Sequence, residues 1–161
     1  MTIRRAQVAD IPALEKLLKE ILLVHHQARP DLFRASGKKF SRQQLEALVP
    51  DDSKPIFVYE DEQGKILGHL FIIIENTEGK NSQPHKTLFI DDLCVAEDAR
   101  GQRLGQELFD FARDYAKEMG CYNLTLHVWN ANEGALRFYK RQGLKEQFTS
   151  MEEILWDVIV H

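Results

Sequence analysis

The sequence has few cysteines, no long apolar run and no excess of positive charge, and each of these absences argues against a class of protein. Its 161 residues contain two cysteines, Cys94 and Cys121, which form no CxxC pair and are best interpreted as free thiols. The longest wholly apolar run, Leu70 to Ile74, is far too short to span a membrane. The net charge of −4 argues against nucleic-acid binding, because such proteins usually need a basic surface to neutralise phosphates.

Signals for export and for metal binding are also missing. No apolar segment of the kind that a secretory signal requires follows the two N-terminal arginines, so we predict a cytoplasmic protein that does not associate with membranes. The histidines show no HExxH or HxxxH spacing. The adjacent pair His25 and His26 would point about 100° apart on a helix, so we predict no metal site.

What the sequence does contain is typical of one globular domain. Hydrophobic residues make up 43% of the chain and charged residues 29%, a balance that supports a full hydrophobic core at this length. No repeat and no linker rich in proline, glycine or serine divides the chain. We therefore predict a single domain over residues 1–161.

Hydrophobic periodicity predicts strands and helices in alternation along the whole chain. Helices are predicted from an N-cap at Asp10 to about Gln27, from a Ser41–Gln44 capping box through Leu48, from Leu104 to about Met119, and from an Asn130–Glu133 capping box to about Gln142. Strands are predicted over residues 2–6, 56–59, 66–74, 88–95, 124–129, 144–148 and 154–160. The polar segment Asn76 to Pro84 is predicted to be a mobile loop. This order indicates an α+β or α/β domain with a mixed sheet.

The segment from Val95 to Leu108 joins the end of a strand, a glycine-containing turn and the start of a helix. Unpaired N–H groups and the positive end of the helix dipole make such a turn suitable for binding an anion. Gly101 and Gly105 would allow close approach of a phosphate, and Arg100 and Arg103 would add charged donors. Neither GxxxxGK[ST] nor GxGxxG is present. An ordinary turn with solvated arginines is the alternative interpretation.

A second segment, from Trp129 to Leu144, places three residues on one face of a predicted helix. Asn132, Ala135 and Tyr139 are spaced by three and four positions, and the small alanine leaves room beside the other two. A tyrosine hydroxyl can donate a proton to a leaving group. The alternative is an aromatic residue of the core whose hydroxyl is hydrogen-bonded.

Together the two segments resemble the motifs of the GNAT superfamily of acyl-CoA-dependent N-acyltransferases. The first motif, [RQ]-x-x-G-x-[GA] after a strand that ends in valine, is represented by Arg100-Gly101-Gln102-Arg103-Leu104-Gly105. The second, N-x-x-A-x-x-[FL]-Y-x-x-x-G-[FL], is represented by Asn132 to Leu144. One position departs from the pattern, since Arg103 replaces the usual middle glycine. The order of strands and helices resembles that of the family over nearly the whole chain.

The resemblance implies a fold and a cosubstrate. The fold would be a three-layer α/β/α domain, with a mixed, mostly antiparallel, twisted sheet of about seven strands and about four helices on its two faces. The cosubstrate would be acetyl-CoA, whose pantetheine arm would follow a strand that splays away from its neighbour. The implied cofactor-binding residues are Leu93, Cys94 and Val95 on the strand, Arg100, Gly101, Gln102, Arg103, Leu104, Gly105 and Gln106 at the pyrophosphate, and Asn132 and Ala135.

The resemblance also implies direct attack of an amine on the thioester. Tyr139 would protonate the CoA sulfur, and Asp91 would draw the amine proton through water, as in the similar polyamine acetyltransferase branch. Asp92 would be a substrate anchor or an alternate base. Because neighbouring strand residues point to opposite faces, only one of the two aspartates should face the cleft. In the alternative interpretation, both carboxylates are bonded to backbone or to arginine.

Other candidate groups for the chemistry carry less support. A nucleophilic Cys94 has no histidine or acid partner at a recognisable spacing. His69 and His127 lie on predicted strands, where a satisfied, half-buried histidine is more common than a catalytic one.

The acceptor is not determined by the sequence. The implied acceptor pocket, residues 24–40 and 147–153, has mixed charge, while the two aspartates favour a small cationic amine such as a polyamine or an amino acid. A peptide or protein amine, at the N-terminus or on lysine, is the alternative substrate. A non-catalytic acyl-CoA sensor is the alternative function. The late apolar strand predicts edge pairing between copies, and hence a homodimer.

Overall fold

The computed structural model of the chain describes residues 2–156, which form five strands and four α-helices. The strands are β1 Thr2–Arg5, β2 Ile56–Glu60, β3 Ile66–Gly79, β4 Ser82–Val95 and β5 Asn123–Leu126. The helices are α1 Ile11–Ala28, α2 Arg42–Leu48, α3 Leu104–Glu118 and α4 Glu133–Arg141. No helix within residues 2–156 is long and apolar enough to cross a membrane.

The five strands form one sheet in the order β1-β2-β3-β4-β5. The first three pairs are antiparallel and the β4–β5 pair is parallel, which confirms the predicted mixed, mostly antiparallel sheet. The prediction of about seven strands is wrong for the described residues, because residues 144–156 lie in neither a helix nor a strand. Alternation of apolar residues indicates strand propensity, but it cannot supply the hydrogen-bonded neighbour that a strand requires. Residues 157–160 of the last predicted strand lie outside the described residues.

The predicted mobile loop over 76–84 is also wrong. Strands β3 and β4 continue as an antiparallel ladder through Thr77↔His85 to Gly79↔Ser82 and reverse at a tight turn between these last two residues. Polar side chains suggested a loop here. They are equally compatible with a hairpin extension that faces solvent, since the backbone groups are satisfied by the ladder.

Two helix starts differ from the predicted caps. Asp10 belongs to a 3₁₀ turn, Val8–Asp10, and accepts hydrogen bonds from Arg4 and from the N–H of Gln7 (2.8 Å) instead of capping α1. The Arg4 guanidinium holds the pKa of the Asp10 carboxyl below its ordinary value. At α4 the cap is Asn132 rather than Asn130, whereas the Ser41–Gln44 capping box of α2 is confirmed.

The chain divides into two compact units. Among the described residues, the first unit holds 2–21 and 38–127, and therefore the whole sheet with α2 and α3. The second holds 22–37 and 128–156, and therefore α4.

Within the first unit, helices cover both faces of the sheet. Ile56 and Val58 of β2 belong to a buried cluster with residues of α1 and α2. Phe57, between them, contacts the rings of Phe111 and Tyr115 on α3, with centroids 4.7 and 5.3 Å away. Since alternate strand residues face opposite sides, α3 lies on the face opposite to α1 and α2. The predicted three-layer arrangement is confirmed for these helices.

Candidate active site

The first element of the candidate site is the point where β4 separates from β5. The parallel ladder runs from Thr87↔Asn123 to Ile90↔Leu126 and ends there, while β4 continues to Val95 against β3. Of the described residues, none extends the ladder on the β5 side of residues 91–95. This is the splayed arrangement expected beside Leu93, Cys94 and Val95, although β5 ends three residues before the predicted boundary.

A β-bulge lies at the same point of β4. Phe71 pairs with Asp92 and Ile72 pairs with Ile90, so Asp91 is an extra residue without a partner on β3. A bulge breaks the alternation of side chains and redirects them locally. The expectation that neighbouring aspartates alternate between opposite faces therefore does not apply here.

Asp92 is held by a buried histidine. Its Oδ2 lies 2.9 Å from Nε2 of His69, whose side chain is 0% exposed and packs edge-on against Phe71. The Nδ1 atom of His69 is buried and has no hydrogen-bond partner among the described residues. His69 is thus more deeply buried than the half-buried histidine that the sequence suggested.

Asp91 is paired with a lysine. Its Oδ2 lies 3.1 Å from Nζ of Lys39, and the two side chains are 25% and 45% exposed. Lys39 also lies over the ring of Phe40, which stacks on Phe71 at a centroid distance of 5.8 Å. Phe71 is the residue that contacts His69, so both carboxylates reach one continuous group of side chains.

The turn after β4 has the backbone of an anion-binding site. A 3₁₀ turn, Glu97–Ala99, leads into Gly101 with φ +86° and Arg103 with φ +63°, and α3 starts at Leu104. Arg103 provides no side-chain cap, so the first N–H groups of α3 point outward with the positive end of the helix dipole. The turn residues, from Arg100 to Gln106, therefore present donors and positive charge together.

Arg103 occupies a conformation that glycine prefers. Among residues 2–156, Arg103 is the one non-glycine residue with a positive φ. A left-handed conformation costs an L-residue about 1–2 kcal/mol. At position 103, where this chain has arginine in place of the glycine of the motif, the backbone thus has a conformation that suits glycine.

Cys94 does not have the properties of a nucleophile. It is buried, and its Sγ lies 3.6 Å from the carbonyl oxygen of Leu17. Burial, together with the negative charges of Asp92 and Glu20, raises the pKa of Cys94 to about 12. The thiol therefore remains protonated at neutral pH.

Glu20 is a site residue that the sequence analysis missed. Its Oε1 accepts a hydrogen bond from the N–H of Glu97 (3.1 Å), and its Oε2 is buried without a partner among the described residues. The available signal was its position in the predicted helix, three residues after Leu17 and next to Ile21, both on the apolar face. A carboxylate on that helical face should approach the end of β4 rather than solvent.

In the second unit, the three predicted residues lie on or next to α4. Asn132 is the N-cap, and its side chain accepts a hydrogen bond from the N–H of Ala135 at 3.3 Å. Tyr139 follows Ala135 by one turn, and its carbonyl accepts a hydrogen bond from the N–H of Leu144. Ala135 and Tyr139 are thus one turn apart on α4, while Asn132 caps the helix from the position before its first residue.

Within the second unit, one arginine of the predicted acceptor segments is paired with two carboxylates of the same segments. Arg29 donates to both oxygens of Asp31, at 2.9 and 2.7 Å, and also pairs with Glu152. Its guanidinium lies 5.5 Å from the ring centroid of Trp129. Arg29 keeps the pKa of the Asp31 carboxyl below its ordinary value. Within residues 2–156, no group of three or more His, Cys, Asp or Glu side chains is placed to hold a metal ion.

The sequence of this chain is similar to those of several N-acetyltransferases. The profile of the acetyltransferase (GNAT) family matches residues 18–144. An uncharacterised N-acetyltransferase of Methanocaldococcus jannaschii is 32% identical over 117 residues, which are 73% of this chain and 50% of that protein. The chain thus spans about half the length of this relative. Glucosamine 6-phosphate N-acetyltransferase of Arabidopsis thaliana is 30% identical over 119 residues, 73% of this chain and 76% of that enzyme.

Structure comparison finds solved structures with the same fold. The crystal structure of a mutant of the BH1408 protein of Bacillus halodurans matches with a TM-score of 0.91 at 30% identity, covering 97% of this chain and 100% of that one. The structure of the Arabidopsis thaliana glucosamine-6-phosphate N-acetyltransferase matches with a TM-score of 0.69 at 24% identity, covering 96% of this chain and 97% of that one. The second match shows a shared fold.

Proposed function

Because the chain belongs to the acetyltransferase (GNAT) family, a family of acyltransferases, we propose that it moves the acetyl group of acetyl-CoA to a primary amine by direct attack on the thioester. The observation that carries this proposal is the bulge of β4, which places Asp91 where β4 separates from β5. Residues 1–161 would act as one N-acetyltransferase domain.

Acetyl-CoA fits the backbone features of the first unit. The uncapped start of α3 and the turn from Arg100 to Gln106 suit the pyrophosphate, because both present N–H donors and positive charge. The edge of β4 at Leu93, Cys94 and Val95 suits the amides of the pantetheine arm, which would pair with it as a neighbouring strand does. The family motif assigns Asn132 and Ala135 to the same cosubstrate.

The reaction needs a neutral amine and a protonated leaving group. We assign the first task to Asp91, acting through water, with Asp92 as substrate anchor or alternate base. The His69–Asp92 hydrogen bond supports a fixed orientation of the Asp92 carboxyl group. Backbone N–H groups near Cys94 and Val95 would polarise the thioester carbonyl.

Tyr139 is the proposed general acid for the CoA sulfur. A phenol hydroxyl ordinarily stays protonated at pH 7, as a proton donor requires. Replacing Tyr139 by Phe removes the donor with little change of shape. We expect the variant to lose about 10²-fold or more in turnover while its affinity for acetyl-CoA stays nearly unchanged. Steady-state kinetics and calorimetric titration measure the two quantities, and unaltered turnover would remove Tyr139 from the mechanism.

The proposed acceptor is a small cationic amine, such as a polyamine or an amino acid. Two carboxylates at the bulge favour a cation. A peptide or protein amine is the second candidate, and a non-catalytic acyl-CoA sensor is the third.

A screen by mass spectrometry tests these possibilities. Purified protein and acetyl-CoA are mixed with pools of polyamines, amino acids, aminoglycosides and peptides, and each pool is searched for a gain of one acetyl group. An acetylated small amine supports the proposal, and an acetylated peptide supports the second candidate. Tight binding of acetyl-CoA without product in any pool would favour a sensor.

We also propose that the protein is a cytoplasmic homodimer. Large apolar side chains are exposed in the segment after α4, namely Phe148, Met151, Ile154, Leu155 and Trp156. Exposed apolar surface of this kind favours burial against another molecule, and symmetric dimers are the commonest oligomers. Light scattering coupled to gel filtration measures the mass directly, and a monomer at micromolar concentration would contradict the proposal.

A further inference from the structure

We propose that Lys39 is itself an acetyl acceptor, modified by the active site of its own chain. This inference rests on the proposed function, because it uses the same cosubstrate and the same base. Lys39 carries a primary ammonium group, and its Nζ lies 3.1 Å from Oδ2 of Asp91. The group that the reaction consumes is therefore already present at the proposed base.

The position of Lys39 is fixed by its neighbour in the chain. Phe40 stacks on Phe71 with the two rings nearly parallel, at an interplanar angle of 2°. Nζ of Lys39 lies 5.4 Å from the centroid of the Phe40 ring, a cation–π distance. Phe71 belongs to β3 directly beside the bulge, so this stacking ties the lysine to the part of the sheet that carries Asp91.

The surroundings of Lys39 favour reaction rather than burial. Its side chain is 45% exposed, so the amine is accessible to a cosubstrate. Asp91 is the unpaired residue of the bulge, at the start of the edge of β4 that β5 leaves open. The Lys39 amine and the proposed base Asp91 thus lie next to the part of β4 along which we propose that the pantetheine arm runs.

A second lysine–aspartate pair in the same unit provides an internal reference. Nζ of Lys65 also lies 3.1 Å from a carboxylate oxygen, that of Asp98, and the two side chains are 54% and 63% exposed. Asp98 belongs to the 3₁₀ turn Glu97–Ala99 and not to the bulge. The two lysines are therefore alike in pairing and accessibility and differ in their position relative to the open edge.

The chemical step balances with acetyl-CoA as the only co-reactant. Asp91 accepts one proton from the Lys39 ammonium and later releases it to solvent. The neutral Nζ attacks the thioester carbonyl carbon, a C–N bond forms and the C–S bond breaks. The nitrogen loses a second proton as the amide forms, which balances the proton taken up by the CoA thiolate. The products are N-acetyl-Lys39 and free CoA.

This modification would change the site. An acetylated lysine is a neutral amide, so the ion pair with Asp91 would be lost. Asp91 would then be available to accept a proton from a free amine.

The test compares the two lysines in one sample. The full-length protein is incubated with isotopically labelled acetyl-CoA at several protein concentrations, with and without the amine pools, and digested for quantitative peptide mapping. We expect Lys39 to be labelled roughly tenfold or more faster than Lys65, at a rate that does not depend on protein concentration. In the Asp91→Asn variant, checked for folding by circular dichroism, labelling of Lys39 should fall to the level of Lys65.

Equal labelling of Lys39 and Lys65 would overturn the inference, since it would show ordinary chemical acetylation of exposed lysines. A Lys39 rate constant proportional to protein concentration would also overturn it, and so would labelling of Lys39 in Asp91→Asn chains assembled with unaltered chains, because transfer would then occur between chains. An acetylated free amine together with unmodified Lys39 would refute self-acetylation and leave the proposed function intact. If neither is acetylated, both are refuted. Because the two lysines are compared in the unaltered protein, this part of the test does not depend on whether a variant folds.

Discussion

The two halves of β4 differ in what they contribute to the molecule. Residues 82–90 pair with β3 as far as Ile90, with one irregularity between Ser82 and His85, and the last four of them also pair with β5. Residues 91–95 begin with the unpaired Asp91 of the bulge, carry two carboxylates and, from Asp92 onward, pair with β3. Where a strand is paired on both edges, its backbone is used by the fold. Where one edge is open, the same strand can bind a ligand through its backbone.

The largest expected effect comes from the open half. Asn in place of Asp91 keeps the shape of the side chain but removes its charge and most of its basicity. We expect turnover with an amine acceptor to fall by about 10²-fold or more. The free energy of unfolding should change by less than about 1 kcal/mol, because the Lys39–Asp91 ion pair is partly exposed. Kinetics and denaturant titration separate the two effects.

Full activity of Asp91→Asn would contradict the proposed difference between the two halves of β4, since the bulge would then have no catalytic role. The same measurement on Asp92→Asn is the matched control. A larger loss of turnover in that variant would identify Asp92 as the base.

The paired half should show the opposite behaviour. Leu88 is 0% exposed and lies within the β4–β5 ladder. Leu88→Ala leaves a cavity, which should lower the free energy of unfolding by about 2–5 kcal/mol. Turnover per folded molecule should remain near that of the unaltered protein well below the midpoint of unfolding. A specific loss of turnover in fully folded Leu88→Ala would mean that the two halves are not separable.

A smaller effect distinguishes a buried, unreactive thiol at Cys94 from a solvated thiol that could react. Its pKa is raised from an ordinary 9.0 to about 12 by burial, so the thiol contributes stability below pH 9 that is lost as pH rises towards 12. The unaltered protein should therefore lose more stability than Cys94→Ala between about pH 8 and pH 11. Denaturant titrations at both pH values measure this difference. Equal losses would indicate a solvated thiol that could react.

The smallest expected effect is at the turn that follows the open half. Arg103→Gly restores the residue that suits a positive φ, and should raise the free energy of unfolding by up to about 1 kcal/mol. Loss of the guanidinium should weaken acetyl-CoA binding by roughly two- to tenfold. Thermal unfolding and calorimetric titration measure both changes. Unchanged affinity would show that the backbone of the turn, and not the arginine, holds the phosphates.

Much of the fold could be predicted because the features that determine it are local. The start of α3 after Arg103, the helical face of Ala135 and Tyr139, and the capping box at Ser41 depend on residues within one or two turns of each other. The pairing order of the sheet depends on distant residues, which explains why two late strands were predicted where the described residues show none. The loop predicted at 76–84 failed because polarity does not distinguish a solvated hairpin from a loop.

The candidate site was predicted in its residue types but not in its pairings. The resemblance to the polyamine acetyltransferase branch indicated Asp91 and Asp92, but a one-residue register shift leaves no signature in the pattern of a single strand. The partners His69 and Lys39 are 23 and 52 positions away from the aspartates they contact, and such contacts arise in tertiary structure. Glu20 was missed because an acidic residue on an amphipathic helix is usually solvated.

The tight turn of the β3–β4 hairpin has a consequence for how the chain folds. Strands joined by so short a connection can pair early, because closing a small loop costs little entropy. The strand positions of both aspartates and of His69 would then be set as the hairpin zips from Gly79↔Ser82 towards Val95. A residue inserted at this turn should be absorbed by a longer loop, because the buried faces of the sheet fix the register. A short, solvent-exposed turn can therefore speed the assembly of a strand pair whose other end carries the two carboxylates.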